Sequence, residues 1–131
     1  MKKLICSFLS VLGLLAFAAS AAERPMLVVT EIVEIAAKPD DVWRLLKRFD
    51  ALKEWHPAFS ESSIISGRDG KVGAIRRLTV KDGPSFTEEL LALNEQTKSF
   101  TYSVIESPLP VTDYLSSVGV KANAAGGTTV I

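Results

Sequence analysis

Arg76, Glu88, Tyr102, Tyr114 and Ser116 are the residues whose types and spacing could do chemistry in this chain. Side chains alternate between faces along a strand with a period of two. Arg76 therefore shares a face with Leu78 and Val80, Glu88 with Phe86 and Leu90, Tyr102 with Phe100 and Val104, and Tyr114 and Ser116 with Val118. If those faces meet, an acid, a base and two phenols project among apolar groups. A charge buried alone is costly, so Glu88 and Arg76 should pair with each other, with a ligand or with water. Such a pair is a polar handle that could orient a mostly apolar ligand. A bulge that slipped the parity would instead turn both residues to solvent.

Other chemistry is poorly supplied. The single histidine, His56, stands before Pro57, which excludes a multi-histidine metal site and reads as a structural turn. Gly67 to Gly73 has no strand-to-helix setting and no following Lys-Ser or Lys-Thr, so it is not a phosphate loop. No catalytic residue, metal ligand or cofactor site is assigned.

At the N-terminus, Lys2 and Lys3, the apolar run Leu4 to Phe17 and the small residues Ala18 to Ala22 form the three parts of a secretory signal peptide. The apolar run is short of the roughly 20 residues a membrane span needs, so no stable membrane anchor is expected after cleavage. Residues 1–22 are assigned to this signal and residues 23–131 to one domain, secreted to a bacterial periplasm. Cleavage after Ala21 or Ala22 removes Cys6, the chain's single cysteine, and with it any disulfide or thiolate site. The full chain has 15 basic and 15 acidic residues; losing Lys2 and Lys3 leaves 13 against 15, a formal charge of −2. With scattered basic residues and no longer run than Arg76-Arg77, nucleic acid is not an expected partner.

The elements that must position these residues follow in order. Met26 to Ile35 is rich in β-branched residues and reads as the first strand. Ala36 to Pro57 is the stretch with helical periodicity: Val42, Leu45, Leu46 and Phe49 make one apolar stripe, Pro39 suits the first turn, and Asp40 and Asp41 favour the positive end of the helix dipole. Asp50 is expected to cap a second short helix through Trp55, and Pro57 ends it. Strands are then expected over Phe59–Ser66, Val72–Val80, Phe86–Leu93, Phe100–Ile105 and from about Thr112 to Ala122, with another beginning at Thr128. Short strands joined by tight turns form an antiparallel meander, and two helices after the first strand make the layout α+β.

The strand, the A-x-K-P-D-D-V-W helix, the short helix ending W-H-P, the G-x-V-G-A-I-R-R-L and E-E-L strands, and Y-S-V-I-E-S-P-L-P-V-T-D-Y together resemble the SRPBCC superfamily, the START and Bet v 1-like helix-grip proteins. The nearest likeness is to the polyketide cyclase/dehydrase branch, and a signal peptide on such a domain is similar to periplasmic accessory proteins of methanol oxidation. The resemblance implies a curved antiparallel sheet with its last strand between the first and sixth, gripping a long C-terminal helix. Here the sequence stops a few residues into that last strand, so the chain is expected to be a C-terminally truncated member, marginal in isolation; a cooperative high-temperature melt of residues 23–131 would contradict this. The resemblance also turns the Arg76, Glu88, Tyr102 and Tyr114 faces toward one cavity. It places the Gly83-Pro84 and Pro108-Leu109-Pro110 loops over the mouth, at the positions of the gate and latch of the plant hormone receptors, without those receptors' characteristic residues.

The expected function is binding of a small or medium hydrophobic ligand on the concave face, through Trp55, Arg76, Leu78, Phe86, Glu88, Tyr102, Leu109, Tyr114 and Ser116. Two other classes stay open: a cyclase-, dehydratase- or hydrolase-type enzyme using Glu88, Tyr102, Tyr114 or Arg76, and an accessory protein with a periplasmic dehydrogenase as partner. Trp43 is expected in the core, and Ala36 to Pro57 is expected to brace one end of the sheet, touching a ligand only around Trp55 and His56.

Overall fold

Pro39 opens helix α1 (Pro39–Leu46), with Asp40 and Asp41 in its first turn, in the computed structural model, which describes residues 26–131. The signal segment read from residues 1–22 lies outside the described residues. The buried face of α1 is rotated from the expected stripe: Val42 and Trp43 are buried, whereas Leu45 is 37% exposed. The large indole sets that rotation. Trp43 packs on Phe100 at 6.3 Å and donates its Nε1–H to Glu95 Oε2 at 2.7 Å, so the helix turns toward the indole and Leu45 rolls outward. Phe49 lies beyond the end of α1 and is nevertheless almost wholly buried.

Helix α2 (Leu52–Trp55) follows, but Asp50 does not cap it. Its N-cap is Ala51, without a side-chain hydrogen bond, one residue later in the chain than expected. The Asp50 backbone N–H donates to Asp69 Oδ1 at 3.1 Å, and its carboxylate lies 3.6 Å from Arg48.

Strand β1 is only Val33–Ile35. The expected longer strand from Met26 fails for lack of a ladder partner: β1 pairs with three residues, Thr128 to Val130, and residues before Val33 have no strand beside them. The remaining strands are β2 (Phe59–Ser66), β3 (Ile75–Val80), β4 (Ser85–Asn94), β5 (Ser99–Glu106), β6 (Leu115–Ala122) and β7 (Thr128–Val130). Val72 to Ala74 and Thr112 to Tyr114, expected in strands, lie outside them in turn and irregular backbone. The seven strands form one sheet in the order β1-β7-β6-β5-β4-β3-β2, with antiparallel pairing throughout. The last strand thus lies between the first and the sixth, and the fold is the α+β helix-grip type with a curved sheet.

The core sits where α1 meets the inner face of the sheet. Val42, Trp43, Phe49, Ala74, Leu90, Phe100 and Val120 form one buried cluster there. At the β6–β7 turn the backbones come very close: a Cβ on Gly127 would stand 2.5 Å from the carbonyl oxygen of Ile35, so glycine is required. That approach lets β7 slide in beside β1, and the Thr128 hydroxyl donates to the carbonyl of Ala37 at 2.6 Å.

Candidate functional site

The register of the sheet brings Arg76 and Glu88 together. They are directly opposed Cα partners on β3 and β4, the arrangement in which cross-strand side chains meet. Two irregularities interrupt the β4–β5 ladder, one between Thr87 and Glu88 and one between Leu90 and Ala92. Glu88, Glu89 and Leu90 lie between them, in regular register with Val104, Ser103 and Tyr102. Glu88 and Tyr102 therefore keep the same face, and the bulges do not turn the pair outward.

Arg76 and Glu88 are 5% and 7% exposed, respectively, which makes their partners decisive. The guanidinium donates to Glu88 Oε2 from Nε at 2.8 Å, with Nη2 2.6 Å from the same oxygen. Its Nη1 donates to the backbone carbonyl of Phe49 at 2.8 Å. Its central carbon stands 4.0 Å from the Phe49 ring centre and 5.3 Å from that of Tyr102, close enough for cation–π attraction. Burial pushes the Glu88 carboxyl above its ordinary range against the opposing pull of Arg76. Burial also pushes the Tyr102 phenol up; the Glu88 charge adds to this, while Ser116 and Arg76 oppose it.

These groups line a cavity of about 340 Å³, near the lower end of the ~300–1,000 Å³ typical of ligand pockets. The sheet supplies Phe59, Arg76, Leu78, Phe86, Glu88, Phe100, Tyr102, Val104 and Val118. The helical side supplies Leu46, Arg48, Leu52, Trp55 and His56, and the β5–β6 connection supplies Ser107, Leu109, Val111 and Tyr114. Apart from Ser116, every residue named from the sequence as ligand-binding is in this wall. Ser116 is half-buried on β6 opposite Tyr102 and does not line the cavity.

Of the two loops expected over the mouth, only Pro108-Leu109-Pro110 contributes to the wall. Leu109 is 56% exposed there, with its N–H held by the Ser107 hydroxyl at 3.0 Å. Gly83-Pro84 is folded back on its own hairpin instead: the Gly83 N–H donates to Val80 at 3.1 Å, and a Gly83 Cβ would press on the Val80 side chain at 3.2 Å.

His56 behaves as a turn residue while also lining the cavity. Its Nδ1 accepts the Ala58 N–H at 3.3 Å, and its ring lies between Trp55 and Phe59 at 5.8 and 4.9 Å. Phe49 and Arg48 were not singled out for the site from the sequence. Phe49 is the platform under Arg76, and Arg48 lines the cavity with its guanidinium clamped by both oxygens of Glu54 at 2.9 and 2.8 Å. Phe49 and Arg76 are 27 residues apart, and no periodicity spans a helix and two strands to join them. Among the described residues no cluster of three or more His, Cys, Asp or Glu could hold a metal ion, and no helix is long and apolar enough to cross a membrane.

Residues 26–131 match the family model described as polyketide cyclase / dehydrase and lipid transport. Among solved structures, the protein XoxI from Bacillus cereus is 33% identical, with a TM-score of 0.67 over 76% of this chain and 67% of that one. An uncharacterised protein from Bacillus thuringiensis is 32% identical, with a TM-score of 0.68 over 76% and 70%. Ginseng major latex-like protein 151 from Panax ginseng, at 22% identity and a TM-score of 0.58 over 76% and 70%, shares the fold.

Proposed function

Because the chain belongs to the polyketide cyclase / dehydrase and lipid transport family of the SRPBCC superfamily, we propose that it binds a small or medium hydrophobic molecule in the cavity beneath α2 and the β5–β6 connection. The observation that carries this reading is the wall itself: apolar and aromatic side chains surround one buried, mutually satisfied ion pair. Ligand pockets have this composition, with a few fixed polar groups orienting a mostly apolar guest. A core that merely needed filling would gain nothing from a desolvated Arg–Glu pair, whose cost commonly offsets its attraction.

Uptake of the neutral fluorescent probe N-phenyl-1-naphthylamine tests the reading. It should be saturable, and it should be lost when Val118→Trp fills the cavity. Uptake that survives the filled cavity would mean adhesion to the outer surface and would sink the proposal.

Similarity to XoxI from Bacillus cereus, together with the likeness to periplasmic methanol-oxidation accessory proteins, favours a second reading, an accessory role beside a periplasmic dehydrogenase. Co-purification of a dehydrogenase with the tagged protein from periplasm supports it; a protein that elutes alone under mild extraction counts against it. Both readings place the mature protein in the periplasm, on the strength of Lys2-Lys3, the apolar run and the Ala-rich cleavage region. An intact mass beginning at Met1 in the periplasmic fraction, or absence from that fraction, would contradict the localisation.

A further inference from the structure

The cavity wall contains two guanidinium groups, and both are already engaged by carboxylates of this chain. Arg76 is bound to Glu88 through Nε and Nη2 and to the Phe49 carbonyl through Nη1. Arg48 is clamped by both oxygens of Glu54. Neither cation is left uncompensated for an anionic guest. The carboxylate side is different: both nitrogens of Arg76 that reach Glu88 fall on Oε2, so Oε1 is the oxygen left to accept a hydrogen bond. Glu88 itself lines the cavity, with Tyr102 and the apolar side chains of Leu78 and Phe86 around it.

From this arrangement we infer that the cavity selects a neutral amphiphile carrying one hydroxyl or N–H donor, which bonds to Glu88 Oε1, and discriminates against the corresponding carboxylate. The inference rests on the ligand-binding reading above and specifies the class of ligand. An anionic head would bring a second carboxylate beside Glu88 with no further unpaired guanidinium in the wall to offset it, and like charges brought together in a largely desolvated site repel. A guest lacking the donor would strip water from Oε1 without replacing its hydrogen bond, which is also unfavourable. The raised pKa of Glu88 agrees with a site that tolerates negative charge poorly.

Displacement of N-phenyl-1-naphthylamine by three matched compounds at neutral pH provides the test: 4-butylphenol, its donor-free methyl ether 4-butylanisole, and 4-butylbenzoate. The phenol should displace the probe at roughly tenfold lower concentration than either of the others, a difference of one decade in affinity. Benzoate binding as tightly as the phenol would overturn the charge selection, and anisole binding as tightly would overturn the donor requirement. Failure of the probe itself to enter would overturn the ligand-binding reading, a result distinct from loss of selectivity. In Glu88→Gln, Arg76 loses its counter-charge and benzoate should gain on the phenol; an unchanged ratio would overturn the inference. If that variant does not fold, the double variant Arg76→Met with Glu88→Leu should keep probe uptake and lose the phenol-over-anisole preference, and a retained preference counts against Oε1 as the acceptor.

Discussion

Removing Arg76 alone would leave the largely buried Glu88 carboxylate without its counter-charge, with the Phe49 carbonyl also deprived of its donor. Arg76→Met should therefore lower unfolding free energy by about 3–5 kcal/mol, read as a fall in the urea midpoint. The double variant Arg76→Met with Glu88→Leu should recover most of that loss, because it removes the uncompensated charge as well; additive losses would mean that the pair is not coupled. Glu88 also predicts a pH dependence. Its folded pKa is raised above the ordinary value of 4.5, so the folded state holds that proton more tightly than the unfolded chain does. Its stabilising contribution is full below 4.5 and is lost as pH rises through the raised folded value. Wild type should lose stability relative to Glu88→Gln across that window; a parallel pH profile for the two proteins would remove burial as the dominant influence on Glu88. Alternation within β3, β4 and β5 made this pair legible, since each residue has apolar neighbours two positions away. Phe49 was not legible as its platform, because the contact depends on how the chain leaves α1.

At the scale of elements, α1 is held to the sheet through Trp43 and the β4–β5 turn. Glu95 accepts from Trp43 and also from Lys47 Nζ at 3.0 Å, and these two hydrogen bonds hold its carboxyl below the usual range. Trp43→Phe should keep the ring contact with Phe100 but lose the indole donor and some volume, costing about 1–3 kcal/mol by chemical denaturation while leaving probe affinity unchanged. A large loss of affinity at preserved stability would mean that α1 shapes the cavity more directly than its packing indicates. Gly127→Ala should separate β7 from β1 at the Ile35 carbonyl, costing roughly 1–3 kcal/mol as other overpacked sites do; an unchanged midpoint would mean that the close approach relaxes freely. The existence of both helices and the placement of β2 follow from periodicity and proline positions. The buried face of α1 does not, because a stripe drawn at ideal spacing ignores the size of Trp43. Strand ends also escaped: β1 stops at Val33 because pairing, not β propensity, sets where a strand exists.

For the whole molecule, the meander from β2 to β6 is the part that tight turns dictate, and the pairing of β7 between β6 and β1 came from resemblance to known proteins. The cavity is a property of the assembled fold, since its wall draws on α1, α2, five strands and the β5–β6 connection. That is why sequence parity could nominate Arg76, Glu88 and Tyr102 but could not show that Gly83-Pro84 turns away or that Arg48 is already paired. Occupancy of that cavity by one guest is tested most directly by native mass spectrometry of the protein purified from its own cells. The predicted result is a population carrying a single small neutral hydrophobic adduct that disappears in Val118→Trp; adduct-free protein, or an adduct that persists in the filled cavity, would contradict it.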